Sequence, residues 1–216
     1  MAYIWINPVV ANMYEPQTLD KFLRKHEYKQ VKTSEDWLYI VKQKYHTAVN
    51  EAKSPVMDMR CPKSREVVDA VGTTSEVTFP AVEPILIHCA REISEREDLR
   101  GEEKVITTPC QALADMGNAL NLPDTRFVPW SRFLKAFDDA PLKDEETLTP
   151  QTLKESPIPP GFFEELELKT VSLTGDDEIR EYFQACFAKE TPNNVQLVEM
   201  LFCKYGCHNG DGICGR

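Results

Sequence analysis

The sequence predicts an α/β protein made of two small lobes, with mostly parallel sheets flanked by helices. Short β-prone segments alternate with amphipathic helical segments along most of the 216 residues. Strands that alternate with helices favour parallel sheets with right-handed crossovers. A chain of this length can bury a substantial core, either in one large domain or in two lobes.

The predicted strands are short and apolar, and turn residues close several of them. They cover residues 3–6, 28–31, 55–59, 104–108, 126–129, 168–173 and 195–202.

The predicted helices between these strands carry apolar residues at helical spacing on one face. Pro16 and Pro62 fit the first position of two helices, because proline is tolerated in a first turn. Ser34 and Ser131 are the expected N-caps of two others. The longest predicted helix covers about residues 79–97.

The lobe boundary is predicted just before that long helix. About three strands precede it and about four follow it, so residues 1–78 form the expected N-terminal α/β lobe and 79–216 the C-terminal one. Between residues 140 and 166 the pattern breaks, because five prolines and many charges predict a loop or flap. A cysteine-rich loop follows the last predicted strand.

Composition excludes several classes of partner. The hydrophobic fraction of 42% and the charged fraction of 28% are ordinary for a soluble globular protein. No apolar run is long enough to span a membrane and no signal peptide is recognisable, which predicts a cytoplasmic protein. The net charge of −10 argues against nucleic acid as a partner, since phosphate binding needs a basic surface.

Four of the seven cysteines fall at corresponding places in the predicted fold. Cys61, Cys110 and Cys203 each lie just past a predicted strand, and Cys207 lies in the loop after the last strand. Ligands of open α/β sheets gather at the carboxyl ends of strands. Cys61 and Cys110 also precede predicted helices, whose dipoles favour thiolate ligands.

Four thiolates at strand ends form the ligand set that a [4Fe–4S] cluster requires, and we expect such a cluster in the cleft between the lobes. Two alternatives remain open. The four could be unrelated buried thiols, or Cys203, Cys207 and His208 could belong to a zinc site.

The other cysteines are assigned differently. Cys89 and Cys186 lie in the apolar stripes of their helices, so packing in the core is the better interpretation for both. Cys214 is either a terminal thiol or a further ligand or redox partner. His208 is the one histidine that we consider a site candidate.

Several motifs resemble those of a known family. The stretch V-E-M-L-F-C-K-Y-G-C-H-N-G-D-G resembles the last signature of [FeFe]-hydrogenase catalytic domains, in which C-P-G-G-C-x-N-G-G-G follows a Val-Glu-Val-Met run. I-T-T-P-C-Q-A-L-A resembles the middle signature, usually M-P-C-T-A-K-K. D-M-R-C-P-K-S resembles the first, usually T-S-C-C-P-G-W. I-N-P-V-V is similar to the family's A-P-A-V-R segment, so the resemblance spans nearly the whole chain, although the family's domain is considerably longer.

The resemblance implies a set of cluster ligands and the replacement of two residues that serve the family's diiron unit. The ligands of the family's [4Fe–4S] cluster correspond to Cys61, Cys110, Cys203 and Cys207. The lysine that holds a cyanide of the family's diiron unit is replaced by Leu113, and the proton-relay cysteine is replaced by Arg60. The resemblance therefore implies that the cubane is retained and that the diiron subsite is absent.

The leading hypothesis is an anaerobic, hydrogenase-like iron–sulfur protein. It would act in electron transfer with a redox partner protein, or in small-ligand redox chemistry at the cluster, without hydrogen turnover. Arg60 and His208 are the candidate catalytic residues, although the sequence does not decide whether the protein is an enzyme. Arg60 would be either an anion-binding group facing the cleft or half of a surface salt bridge. Ile158, Phe162 and Phe163 are the expected apolar plugs if residues 140–166 fill that cleft.

Three alternative functions remain. The chain could be a minimal [FeFe]-hydrogenase that retains the diiron unit, an iron–sulfur binding or assembly module, or a zinc-stabilised domain.

Overall fold

The computed structural model describes residues 1–72, 77–138, 153, 161–187 and 194–213. Within those residues the predicted fold class is confirmed: all strand pairs of the two sheets are parallel, and helices flank the sheets.

The described residues contain seven strands and eight α-helices. The strands are β1 (Ala2–Trp5), β2 (Tyr28–Gln30), β3 (Val56–Met57), β4 (Lys104–Thr108), β5 (Thr125–Pro129), β6 (Thr170–Thr174) and β7 (Leu197–Leu201). The helices are α1 (Pro8–Ala11), α2 (Pro16–Lys25), α3 (Trp37–Glu51), α4 (Pro62–Val71), α5 (Ile85–Glu95), α6 (Gln111–Ala119), α7 (Trp130–Leu134) and α8 (Asp176–Phe187).

The chain forms two compact units, and each contains one sheet. The first unit draws its described residues from Met1–Glu35, Leu86–Pro157 and Cys207–Arg216, and the second from Asp36–Ile85 and Ile158–Gly206. This division differs from the predicted boundary at residue 78. Strands distant in sequence pair with each other, so each unit combines an early part of the chain with a late part.

The sheet of the first unit has the strand order β2-β1-β4-β5. All five residues of β4 are buried, as expected for a strand with a neighbour on each side. Next to this sheet, Trp130 is fully buried, and its indole Nε1 donates a hydrogen bond of 2.9 Å to the hydroxyl of Tyr14.

The sheet of the second unit has the order β3-β7-β6, with the fully buried β7 at its centre. Successive side chains of a strand point to opposite faces. Accordingly, Val198 and Met200 belong to one apolar core, which also contains residues of α4 and α8. Leu197 belongs to a second core with Tyr45 of α3 and Phe163. Glu199 shares the face of Leu197, although it is charged.

Several predicted element boundaries move in the structure. Helix α5 begins at Ile85 instead of residue 79, because Pro80 and Pro84 disfavour helical backbone before them. The N-cap of α3 is Asp36, whose carboxylate accepts a hydrogen bond of 3.0 Å from the amide of Tyr39, and not Ser34. Helix α7 begins at Trp130, so Ser131 is not its N-cap.

Most of the predicted loop at 140–166 lies outside the described residues. The described part from 161 onward includes a 3-10 turn at Glu164–Leu166. No helix in the described part of the chain is both long enough and apolar enough to cross a membrane.

The packing of α6 on β5 predicts the effect of one substitution. A Cβ atom added to Gly117 of α6 would overlap the ring of Phe127 in β5. Overpacking of a closed core typically costs about 1–3 kcal/mol. We therefore expect Gly117→Val to lower the free energy of unfolding by about that amount in a denaturant titration.

The control is Met116→Val, which places the same β-branched residue one position earlier, where the side chain is 38% exposed. This variant should lose only the small difference in helix propensity. Equal losses in both variants would contradict the packing of Gly117 against Phe127.

Candidate metal centre

In the second unit, Cys61 and Cys203 follow two neighbouring strands. Strands β3 and β7 pair in parallel, with Val56 opposite Leu197. Both cysteines come after the carboxyl ends of their strands and are half-buried. The prediction that these two thiols follow strands is confirmed, and the two strands belong to one sheet.

In the first unit, Cys110 lies two residues past the end of β4 and is the N-cap residue of α6. Cys207 opens a 3-10 turn, Cys207–Asn209. The loop after this turn lies against the backbone next to Cys110, where the amide of Gly212 donates a hydrogen bond of 3.0 Å to the carbonyl of Pro109. The loop that carries Cys207 and the turn that carries Cys110 are therefore joined through their backbones.

Glycine is required at this junction. A Cβ atom on Gly210 would overlap the carbonyl oxygen of Pro109, and one on Gly212 would lie 2.9 Å from the amide nitrogen of Cys110. The sequence predicts that these glycines allow close approach to a bound object. In the structure, they allow close approach of two backbone segments.

Both predicted helix starts at cysteines are present. Cys61 is the N-cap of α4, and Pro62 occupies the first helical position. At α6, the carboxylate of Asp211 accepts a hydrogen bond of 2.9 Å from the amide of Gln111, so an acidic side chain from the Cys207 loop caps the helix.

Arg60 is buried between two carboxylates. Its Nη2 atom lies 2.7 Å from Asp58 Oδ2 and 2.8 Å from Glu199 Oε1, and only 6% of the residue is exposed. We call Asp58, Arg60 and Glu199 the ion triad. Burial would lower the pKa of Arg60, but Asp58 and Glu199 together raise it above its ordinary value, so the guanidinium stays charged.

The oxygens of the ion triad receive further hydrogen bonds. The carboxylate of Glu199 accepts from the amides of Gly161 (2.6 Å) and Phe162 (3.1 Å) and from the hydroxyl of Ser172 (2.8 Å). Asp58 Oδ1 accepts from the hydroxyl of Tyr45 at 3.2 Å. Burial, followed by the charge of Asp58, raises the pKa of Tyr45 well above its ordinary value, so this hydroxyl keeps its proton.

The guanidinium of Arg60 also contacts aromatic rings. Its Cζ atom lies 3.9 Å from the ring centre of Phe162 and 4.7 Å from that of Phe163. Its Nη1 atom is buried and has no hydrogen-bond partner in the part of the chain that the structure describes. Contact with the rings adds a cation–π attraction to the two ion pairs that hold this guanidinium.

These contacts change the interpretation of Arg60. The prediction of a surface salt bridge is wrong in its location, because the ion pairs are buried. The prediction of an anion-binding group loses its physical basis, because the guanidinium is already paired with two carboxylates. Phe162 and Phe163 are buried, and their rings contact Arg60, Lys42 and Tyr45. Ile158 lies outside the described residues, and a role of these residues as plugs stays a prediction.

Asp58 and Glu199 are the site residues that the sequence analysis did not identify. Glu199 could have been identified from the sequence, because it interrupts the apolar run of β7. A charged residue is almost never fully buried unless it is paired.

The remaining candidates are placed as follows. His208 is 5% exposed and directly follows Cys207, and its Nε2 atom lies 3.4 Å from Asn209 Nδ2. Its catalytic role stays a prediction. Leu113, which replaces the expected lysine, is a buried apolar residue of α6.

Cys89 and Cys186 are buried within helices, which confirms core packing for both. Burial, with a contribution from Glu92, raises the pKa of Cys89 to about 12, so this thiol stays protonated. Cys214 lies outside the described residues. The six described cysteines are thiols, and none of them forms a disulfide.

The four proposed ligands are thus placed as two pairs, one in each unit. Among the residues that the structure describes, no three His, Cys, Asp or Glu side chains are grouped so that they could hold a metal ion. The donor chemistry nevertheless fits an iron–sulfur cluster, because all four are thiols that follow strands.

Comparison with known proteins shows a likeness of fold. No protein-family model and no curated protein sequence matches the chain. Among solved structures, a glutamate-to-glutamine variant of the [FeFe]-hydrogenase HydA1 from Chlamydomonas reinhardtii superposes with a TM-score of 0.62 at 11% identity. A glutamate-to-alanine variant of the same protein superposes with a TM-score of 0.55 at 12% identity. Each comparison covers 100% of this chain and 80% of the hydrogenase chain, so the chain has a hydrogenase-like fold.

The ion triad predicts a large effect of removing its cation. Arg60→Met leaves two buried carboxylates without a counter-charge, and breaking a buried ion pair from one side typically costs about 3–5 kcal/mol. We expect a loss of that order in the free energy of unfolding, measured by denaturant titration.

The matched control is Arg180→Met, which removes an exposed ion pair with Asp176 in the same unit and should leave the free energy of unfolding nearly unchanged. Adding Asp58→Asn and Glu199→Gln to Arg60→Met should recover part of the loss, because the uncompensated charges are then removed. A fully stable Arg60→Met variant would contradict the role of the triad.

Proposed function

We propose that the chain holds a [4Fe–4S] cluster through four cysteines and uses it in one-electron redox chemistry. The proposed ligands are Cys61, Cys110, Cys203 and Cys207. The observation that carries the proposal is the placement of these thiols after parallel strands, in two pairs, within a fold like that of an [FeFe]-hydrogenase. A [4Fe–4S] cluster supplies single-electron transfer, and thiolates are its usual ligands.

The chain's own residues fit this function in two ways. The backbone junction at Gly210 and Gly212 fixes the Cys207 loop, and the pairing of β3 with β7 fixes the strands that precede Cys61 and Cys203. Ligands held by rigid elements need little reorganisation when a group binds.

We further propose that the chain has no diiron subsite and does not turn over hydrogen. Leu113 is apolar and cannot bind a cyanide ligand by charge. Arg60 has no thiol proton to transfer, and its guanidinium is bound to Asp58 and Glu199. Electron transfer with a redox partner protein, or reaction of a small ligand at the cluster, is the function that remains. Such a protein belongs in the reducing cytoplasm of an anaerobic cell, where thiols and clusters persist.

Replacing the proposed ligands tests the cluster directly. After anaerobic purification, wild-type protein should contain about four iron and four sulfide atoms per chain. Alanine at any one of the four cysteines should remove most of this iron, or convert the cluster to an unstable form with an altered EPR spectrum. The measurement is iron and sulfide quantitation, with EPR of the reduced protein.

The controls are Cys89→Ala and Cys186→Ala, which remove buried thiols of α5 and α8 and should keep the full iron content. Complete cluster loss from Cys186→Ala with normal folding would count against the ligand assignment. Zinc in place of iron would support a structural metal site instead.

The absence of the diiron subsite predicts that hydrogen evolution stays at background. The assay exposes the chain to the hydrogenase maturation machinery, supplies a low-potential electron donor, and measures hydrogen by gas chromatography. Infrared spectra should show no cyanide or carbonyl bands. Such bands, or turnover above that of free clusters, would establish a minimal hydrogenase. In a separate experiment, release of the cluster to a stably bound partner would favour an assembly module.

A further inference from the structure

The hydroxyl of Ser64 is buried next to a proposed cluster ligand. Ser64 lies in the first turn of α4, three residues after the N-cap Cys61, and its exposed fraction is 0%. Its Oγ atom has no hydrogen-bond partner in the described part of the chain. Buried hydroxyls are nearly always paired, because an unpaired one gives up its hydration without compensation. An acceptor that arrives with a ligand would satisfy this hydroxyl.

Ser64 and Cys61 both lie at the start of α4. Ser64 is the third helical residue, and groups at the N-cap and third positions contact each other in the capping box. Cys61 makes no side-chain capping bond, and Pro62 has no amide to offer. The start of this ten-residue helix also favours negative charge, which the sulfurs of a cluster carry.

Another buried helical serine of the chain shows the ordinary arrangement. Ser94 of α5 is 6% exposed, and its hydroxyl donates a hydrogen bond of 2.8 Å to the carbonyl of Arg91 in the preceding turn. The hydroxyl of Ser64 makes no such backbone bond.

We propose that the Ser64 hydroxyl donates a hydrogen bond to a sulfide of the cluster bound at Cys61 and raises the reduction potential of the cluster. This inference rests on the proposed function, since it requires a cluster at Cys61. A hydrogen bond to sulfur stabilises the extra negative charge of the reduced cluster. Ser64 is therefore a tuning residue and not a ligand.

The test compares wild type with Ser64→Ala, Ser64→Thr and Ser94→Ala in the full-length, cluster-loaded protein. The midpoint potential is measured by redox titration followed by EPR. Losing one charge-assisted hydrogen bond should shift the ratio of oxidised to reduced cluster about tenfold at fixed potential. This shift corresponds to about 59 mV more negative for a one-electron couple. Ser64→Thr and Ser94→Ala should stay near the wild-type potential.

A second readout separates a hydrogen bond from a packing effect. Pulsed EPR of the reduced cluster in H₂O and in D₂O should show an exchangeable proton coupled to the cluster in wild type. The corresponding coupling should be absent in Ser64→Ala and present in Ser94→Ala.

The outcomes are distinct. An unchanged potential and a retained proton coupling in cluster-loaded Ser64→Ala would overturn the inference and leave the proposed function standing. Cluster loss in folded Ser64→Ala, with retention in Ser64→Thr, would support a role of the hydroxyl. Cluster loss in both folded variants would indicate packing and overturn the inference. A wild-type chain that binds no cluster would overturn the proposed function together with it.

Discussion

The ion triad of Asp58, Arg60 and Glu199 is the interaction on which the second unit depends. One guanidinium between two buried carboxylates is tolerable only when other donors satisfy the remaining oxygens. Those donors come from α3, from β6 and from the chain at residues 161–162. The triad thus ties the end of β3 to the centre of β7. Cys61 follows Arg60 directly, so the same charges that stabilise the unit also position a proposed ligand.

The first unit positions its two cysteines by a different physical means. Two glycines instead allow the backbones to touch, and the carboxylate of Asp211 caps α6. A steric constraint in the first unit and an electrostatic one in the second therefore each position two of the proposed cysteine ligands. Substitutions that add volume should damage the first unit, and substitutions that alter charge should damage the second.

Local patterns predicted the features that local physics decides. The helix start at Pro62 and the strand ends before Cys110 and Cys203 follow from residue type and order, and the structure contains them. The pairing of β3 with β7 was not predictable, because Arg60 and Glu199 are 139 positions apart. The same reason explains why the predicted lobe boundary differs from the two units. The predicted start of α5 lies too early, because the prediction followed the helical spacing of apolar residues and not the prolines before Ile85.

The cap that Asp211 provides for α6 has a consequence for synthesis of the chain. Gln111 and Asp211 are 100 positions apart. At a translation rate of about 5–20 residues per second, the ribosome needs about 5–20 seconds to make the chain between them. During that interval the amide of Gln111 lacks its carboxylate, and Cys110 lacks the loop that later lies against it. The nascent chain therefore passes through a stage in which all four strands of the first unit have been synthesised but the junction beside Cys110 cannot yet form.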